Sequence, residues 1–416
     1  MPTIQSLQAR EILDSRGNPT VEATCTLAGG AIGTAAVPSG ASTGIHEALE
    51  KRDGEKKRYN GLGVLSVVQS INTEIQSAVV GKELNQRDLD SLLISLDGTQ
   101  NKSRLGANAI LAVSLSFARA CASEAGVELY AYLGSLVGAT TFALPQPMFN
   151  IINGGKHADS GLDIQEFMIG PVGFNTMKDK VRVASEITAA LRKELKDKGY
   201  AISIGDEGGF APKLGSNEEA LDLISKAITD AGYTTSEVKI GLDAAASSMY
   251  MEDNYHLKID GEHVMTNSDE LIAWYEKLAA KYPLISIEDG LAEDDWAGFT
   301  KLNEKLGGTL TIVGDDLTVT NIERITQAAS HTAINSVLIK PNQIGSLSET
   351  IDAIQMTKKH GWKAFMSHRS GETSDTFISD LAVGLSCEYI KAGAPVRGER
   401  VCKYNRLMEI EDGMTL

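Results

Sequence analysis

Cysteine is scarce in this chain. Cys25, Cys121, Cys387 and Cys402 are its four among 416 residues, and no two stand in CxxC spacing. That excludes a disulfide framework of the small secreted kind and a cysteine-built zinc site. Long apolar runs are missing too, since no stretch approaches the ~20 residues that span a bilayer. The opening MPTIQSLQAREILDSRG becomes charged at Arg10 and Glu11 before any apolar core forms, unlike a signal peptide. Basic residues are in deficit: 39 Lys and Arg face 55 Asp and Glu, for a net charge of −16 and a pI of about 5.0. This balance argues against partners such as nucleic acid or an anionic membrane surface. Aromatics are few at 6%, yet 42% hydrophobic content is ordinary for a globular protein. The expectation is a cytoplasmic protein with reduced thiols.

What is present is concentrated in residues 238–391, where short apolar runs keep ending in charge. VKIGLD ends at Asp243, LISIED at Glu288 and Asp289, LTIVGDD at Asp315 and Asp316, SVLIK at Lys340, KAFMSHR at His368 and Arg369, and CEYIK at Lys391. After the first interval these ends recur every ~23–28 residues, the length of a strand, loop, helix and loop in a (β/α) barrel. In such a barrel the C-terminal strand ends share one mouth, so these side chains converge on a single site.

The N-terminal part has another rhythm. Residues 3–12, 20–27 and 31–37 alternate apolar and polar between turn signals and predict a three-stranded antiparallel meander. Helical spacing follows over 64–80, 89–96 and 107–124, the last closing at Gly126. Together they predict an α+β domain over 1–133, joined through 134–147 to a barrel domain over 141–416. The barrel opens irregularly: runs at 149–152 and 164–169 flank the loop NGGKHADSG, a helix covers 178–198, and a strand AISIG (201–205) precedes the turn DEGGF. No repeat of solenoid type is present.

Asp243, Glu288 and Asp315 each close a predicted strand. Three carboxylates without His or Cys favour Mg²⁺ over zinc. Each acid alone is as readily a helix cap, but three on successive strands make a shared cation the better account. Lys340, leaving a buried strand before Pro341, is placed as a general base whose proton affinity a nearby cation lowers; the competing reading is a structural ion pair. Lys391 holds the matching place as a fixed positive charge for a carboxylate. Glu207, with Asp206 on a glycine-flanked turn, is a candidate general acid, and Gln165-Glu166, taken to end a strand, stands ready to tune it. Taken alone, that turn is more simply a turn. Ser367-His368-Arg369-Ser370-Gly371 joins a guanidinium to hydroxyls and backbone amides, a phosphate site. PSGASTG (38–44) is a small-residue loop placed to close over a ligand, and it is not a Walker A loop. His157 sits in a loop of the same character.

Together these motifs resemble the enolase family. LDSRGNPTVE (13–22), PSGASTG (38–44), NKSRLGANAILAVSL (101–115), NGGKHAD (153–159), QEFMIGP (165–171), GDEGGFAP (205–212), SIEDGLAEDDW (286–296), GDDLTVTN (314–321), KPNQIGSLSET (340–350), SHRSGET (367–373) and KAGAP (391–395) follow that family's order over nearly the whole chain. The resemblance implies an N-terminal α+β domain on a TIM-like barrel that begins ββαα and continues as (βα)6. It implies reversible dehydration of 2-phospho-D-glycerate to phosphoenolpyruvate with two Mg²⁺ per site. Asp243, Glu288 and Asp315 would hold the first ion, and Ser39 would help hold a second that arrives with substrate. Lys340 would be the base and Glu207 the acid, with Glu166 beside it. Arg369 and Ser370 would bind phosphate and Lys391 the carboxylate, while His157, Gln165 and His368 would line the pocket. The alternatives are a superfamily cousin acting on another carboxylate, or a non-catalytic binding protein on the same scaffold. A homodimer is also implied. Where many members carry an arginine that meets the acid at Glu22 across the dimer, this chain has Glu409, and Arg406 is the expected substitute.

Overall fold

The computed structural model describes residues 1–41 and 44–415. Ser42 and Thr43 of the loop 38–44, and Leu416, lie outside the described residues. The N-terminal alternation forms the expected meander of β1 (Ile4–Leu13), β2 (Pro19–Leu27) and β3 (Ile32–Ala36), antiparallel in that order. Its apolar face, with Leu7, Val21, Ala23, Cys25 and Ala35 buried, packs against the helix Ala107–Ala125. This helix is buried on nearly every side because the meander covers one flank and barrel helices another. It ends at Gly126 in the left-handed conformation, φ 65°. The closest approach is at Gly33, where an added Cβ would lie 2.2 Å from Ala120 N and Ser116 O.

Residues 64–80 are not one helix. Leu65–Ser70 and Gln76–Val79 flank a wide π turn at Ile71–Ile75. There the Asn72 side chain accepts from Ala9 N (2.6 Å) and donates to Ala9 O (2.9 Å), covering the free edge of β1. The helix expected over 89–96 starts earlier, as Gln86–Asp97, because Asn85 caps it by accepting from Asp88 N.

The barrel strands are β4 (Gln146–Asn153), β5 (Glu166–Pro171), β6 (Val238–Asp243), β10 (Leu284–Glu288), β11 (Thr311–Gly314), β12 (Ser336–Ile339), β13 (Lys363–Ser367) and β14 (Tyr389–Lys391). They close in that order into a ring of eight, with β5 alone antiparallel to its neighbours. A small antiparallel sheet, β7 (Tyr250–Met251), β8 (Asn254–Ile259) and β9 (Glu262–Thr266), is inserted after β6. Helices Met177–Asp197 and Asn217–Asp230 follow β5 directly, which gives the ββαα opening. Residues 201–205 are not a strand. Because β6 pairs with β5 the ring has no place for them, and only a bridge between Ile204 and Phe210 remains. Among the described residues no single helix is long and apolar enough to cross a membrane.

Inside the ring, Met148, Met168, Val313, Leu338 and Phe365 form an apolar plug drawn from five strands. Side chains alternate along a strand with period two, so inward positions recur two residues toward the mouth. From β4, β11, β12 and β13 this gives Asn150, Asp315, Lys340 and Ser367. Gly241, whose added Cβ would meet Ser286 Oγ and Met148 Cε, leads in the same way to Asp243. Ser286 leads to Glu288 and Tyr389 to Lys391. The antiparallel β5 runs the other way, from Met168 back to Glu166.

Candidate active site

The strand ends therefore assemble a walled cleft. Asp243, Glu288 and Asp315 come from three adjacent strands, β6, β10 and β11. Glu166 on β5 flanks them on one side and Lys340, after β12, on the other. Glu166 and Lys340 stand on strands four places apart in the ring of eight, and so on opposite walls. The remaining arc, β13 and β14, brings His368, Arg369, Ser370 and Lys391. His157, Gln165, Glu166, Glu207, Asp243, Lys340, His368, Arg369, Ser370 and Lys391 line one cavity. A larger hollow beside Ser247, Tyr250 and Asp295 gathers no comparable set. Glu166 was expected at a strand's end and is at a strand's beginning; it reaches the mouth because β5 is reversed, opposite Asp243 in register.

Both lysines are held by acids. Lys391 Nζ lies 2.8 Å from Glu288 Oε1, 3.4 Å from Asp243 Oδ2 and 3.3 Å from both Glu166 oxygens. Burial works against its charge, but Glu166, Glu288 and Asp243 outweigh burial and keep it firmly protonated. Lys340 Nζ is 2.5 Å from Asp315 Oδ2. Burial again pushes its pKa down and Asp315 more than reverses this, so the net shift is upward. Without a cation on Asp315, that carboxylate therefore holds Lys340 as an ammonium.

Glu207 sits on the turn after residue 205 and is buried with Glu166. His157 Nδ1 is 3.5 Å from Glu207 Oε1 and 3.8 Å from Glu166 Oε1, while Asn150 Nδ2 donates to Glu207 Oε2 at 3.1 Å. Burial raises both carboxyls. Glu166 is pushed further up by the Glu207 charge. Glu207 is drawn well down because His157, His368 and Arg400 together overcome burial. The two neighbouring carboxyls are thus pushed in opposite directions, Glu166 up and Glu207 down.

The phosphate-type loop is anchored across the two parts of the chain. Ser39 N donates to Gly371 O and Gly371 N to Ser39 O, both at 2.8 Å, and Ala41 N donates to Ser370 Oγ at 2.7 Å. Arg369 receives Glu47 as a fork, at 3.0 and 3.2 Å. The Ser39 hydroxyl donates to Glu50 at 3.0 Å and accepts from Arg52 at 2.9 Å and Arg16 at 3.2 Å.

The acidic wall fits a divalent cation. Glu288 Oε2 is buried without a hydrogen-bond partner. Glu288 is pushed well up by burial and then by Asp243, the crowding a bound cation relieves. The Lys391 ammonium already stands against two of these acids, as a monovalent cation in the same place. The chain also gathers Asp289, Asp315 and Asp316 oxygens within 4.8 Å of one another. Asp289 accepts from the backbone N–H groups of Asp315 (2.9 Å) and Asp316 (2.7 Å) and so braces the end of β11. Loss of hydration at its half-buried place, and then the Asp315 charge, push Asp316 up to about 7.

Sequence reasoning did not find Asn150, Glu47 or Arg400. Asn150 carried a legible signal, a lone polar residue in the apolar run of β4. Within the chain Arg406 is tied to Asp380 (2.7 Å), Glu128 (2.6 Å) and Glu409 (3.2 Å), while Glu22 takes Arg10 at 2.6 Å.

Two family models match this chain in sequence. The enolase N-terminal domain matches residues 4–133, and the enolase C-terminal TIM barrel domain matches residues 141–415.

Proposed function

Since the chain belongs to the enolase family and is a lyase-type enzyme, we propose that it interconverts 2-phospho-D-glycerate and phosphoenolpyruvate. The observation that carries the reading is one cleft with a lysine on one wall, a carboxyl pair on the other and an arginine–serine loop between. Lys340 Nζ takes the proton from C2, next to the substrate carboxylate, and the electron pair moves onto that carboxylate as an enediolate. Glu207, beside Glu166 and His157, gives a proton to the C3 hydroxyl. Water leaves and the electrons return as the C2–C3 double bond. Arg369 and Ser370 hold the phosphate, which must displace Glu47 from the guanidinium. Lys391 holds the carboxylate and His368 lines the pocket.

Asp243, Glu288 and Asp315 would hold one Mg²⁺, with Ser39 assigned to a second. Bound there, such ions would supply positive charge for the developing enediolate and would engage the acids that now hold the lysines. A general link between enolase-type sites, a Lys or His base and Mg²⁺ is a known pattern rather than a result of this structure. A homodimer belongs to the same reading, and sedimentation velocity tests it.

The direct test is ultraviolet absorbance of purified protein with 2-phosphoglycerate and Mg²⁺, repeated with excess chelator. A Mg²⁺-dependent rise from the new double bond supports the proposal. Turnover of only a non-phosphorylated hydroxycarboxylate would move the reading to a superfamily cousin, and no turnover of either would leave a binding protein.

A further inference from the structure

The helix Gly398–Thr415 sends its third residue back under the cleft. Arg400 is wholly buried, 0% exposed, although its guanidinium carries a full charge. Its Nη1 donates to Arg369 O at 2.6 Å and lies 2.5 Å from His368 Nδ1. Its Nη2 donates to Ser370 O (2.6 Å), Asp206 O (3.1 Å) and Ser15 Oγ (3.4 Å). One side chain thus ties the turn that carries Glu207 to the loop that carries Arg369 and Ser370. Room for it is made at Gly393, φ 85°, where a Cβ would lie 2.8 Å from Arg400 Cδ and 2.6 Å from Glu207 O.

The contact with His368 has a chemical consequence. A guanidinium only donates, so His368 Nδ1 must be the acceptor and the ring proton must sit on Nε2. That nitrogen is buried 3.4 Å from Glu207 Oε2, its nearest carboxylate, without an aligned hydrogen bond in the free protein. Forming an imidazolium would set a second N–H at Nδ1 head-on against the guanidinium. We propose that Arg400 is a positioning residue for the dehydration, fixing His368 as a neutral Nε2–H donor toward Glu207 and locking the acid's turn to the phosphate loop. This rests on the function proposed above.

The surroundings agree. Burial, helped by Arg400 and opposed by Glu207 and Glu372, pushes His368 down to about 4. The groups facing His368 are Arg400 from the C-terminal helix, Glu207 from its turn and Glu372 from its own loop. Those facing Glu207 are His157, Asn150, His368, Arg400 and Glu166. With His368 kept neutral, the imidazole does not compete with Glu207 as an acid.

The first arm of the test needs no substrate. In protein labelled with ¹⁵N-histidine, long-range ¹H–¹⁵N spectra separate the two tautomers of each of the seven histidines; the His368 signal is assigned by its loss in His368→Gln. The expected result is an unprotonated Nδ1 and a protonated Nε2, unchanged from about pH 5.5 to 8. An Nδ1–H tautomer, or a titration near the ordinary value of about 6.5, overturns the proposal. The second arm is kinetic. Arg400→Lys, checked for unchanged circular dichroism, is expected to lose at least tenfold in kcat, with KM within threefold and a displaced pH–rate limb. Added guanidinium is expected to restore part of the kcat of Arg400→Ala. A raised KM with kcat and pH profile unchanged would show an anchor for the phosphate loop only, and would overturn the role assigned through His368. If Arg400→Lys does not fold, the tautomer in the wild-type protein decides. Wild-type protein without dehydratase activity would sink the functional reading alone, because the tautomer is read independently of turnover.

Discussion

Replacing Asn150 by alanine removes one amide donor from a buried carboxylate. Asn150 is fully buried on β4, and its Nδ2 donates to Glu207 Oε2 at 3.1 Å. An amide N–H of this kind serves the ionised carboxylate, and a hydrogen bond to a charged group contributes about 1.5–3 kcal/mol. Its loss therefore raises the Glu207 pKa. The shorter side chain also leaves a cavity, so a single variant mixes two effects. A double-mutant cycle of Asn150→Ala, Glu207→Gln and the pair cancels the cavity to first order. Urea denaturation at pH 7 is expected to give a coupling of about 1.5–3 kcal/mol. The pH dependence follows from the lowered Glu207 pKa. Its contribution is present above the unfolded value of about 4.3 and is lost as pH falls through the lower folded value. Coupling is therefore full at neutral pH and fades in acid. A coupling below about 0.5 kcal/mol at pH 7, well short of that expected range, or one that persists unchanged in acid, would refute the claim that Glu207 is an ionised acceptor in the free protein.

Gly33→Ala drives a Cβ to 2.2 Å from backbone atoms of Ala120 and Ser116. Its cost should reach or exceed ~3 kcal/mol, against ~1–2 kcal/mol for Gly126→Ala, which meets nothing within 4 Å and adds only left-handed strain; equal urea midpoints would contradict this. Glu11 is held low first by its forked pair with Arg58, and it also accepts from Val64 N at 3.0 Å. Glu11→Gln is thus expected to lose about 1–2 kcal/mol at pH 7. The deficit should vanish as pH falls through the lowered folded pKa, and one that grows in acid would reverse the sign of the argument. Mg²⁺ should raise the thermal midpoint of the wild-type protein, since 100 Kd of a ligand adds about 2.7 kcal/mol. Glu288→Gln should abolish most of that rise, and a full rise in the variant would remove Glu288 from the metal site.

The parts of the site legible in sequence were those carried by strand ends. A charged residue after an apolar run marks the point where a buried strand meets solvent or ligand, and one barrel mouth then collects all such points. Asp243, Glu288, Asp315, Lys340 and Lys391 were readable for that reason. Strand direction was not: the run at 164–169 has no feature that distinguishes parallel from antiparallel, so Glu166 was assigned the wrong end. Residues 201–205 have strand-like composition, but whether they pair depends on a vacancy in the ring, which only the β5–β6 contact decides. Lys340 was given a lowered pKa from an assumed cation, while the free protein sets Asp315 against it. The ion pair of Arg406 with Asp380, 26 residues away, has no local signal either. Arg400 and Asn150 act by hydrogen bonds between segments far apart in the chain, and local pattern does not encode such partners.

The central claim is that Lys340 is the base and Glu207 the acid, acting on separate bonds of one substrate. It is tested most directly by following loss of the C2 proton of 2-phosphoglycerate by NMR in D₂O with Mg²⁺, using Lys340→Ala and Glu207→Gln. Glu207→Gln is expected to exchange that proton for deuterium while forming little phosphoenolpyruvate. Lys340→Ala is expected to do neither. Proton exchange in Lys340→Ala at the rate seen in Glu207→Gln would contradict the account.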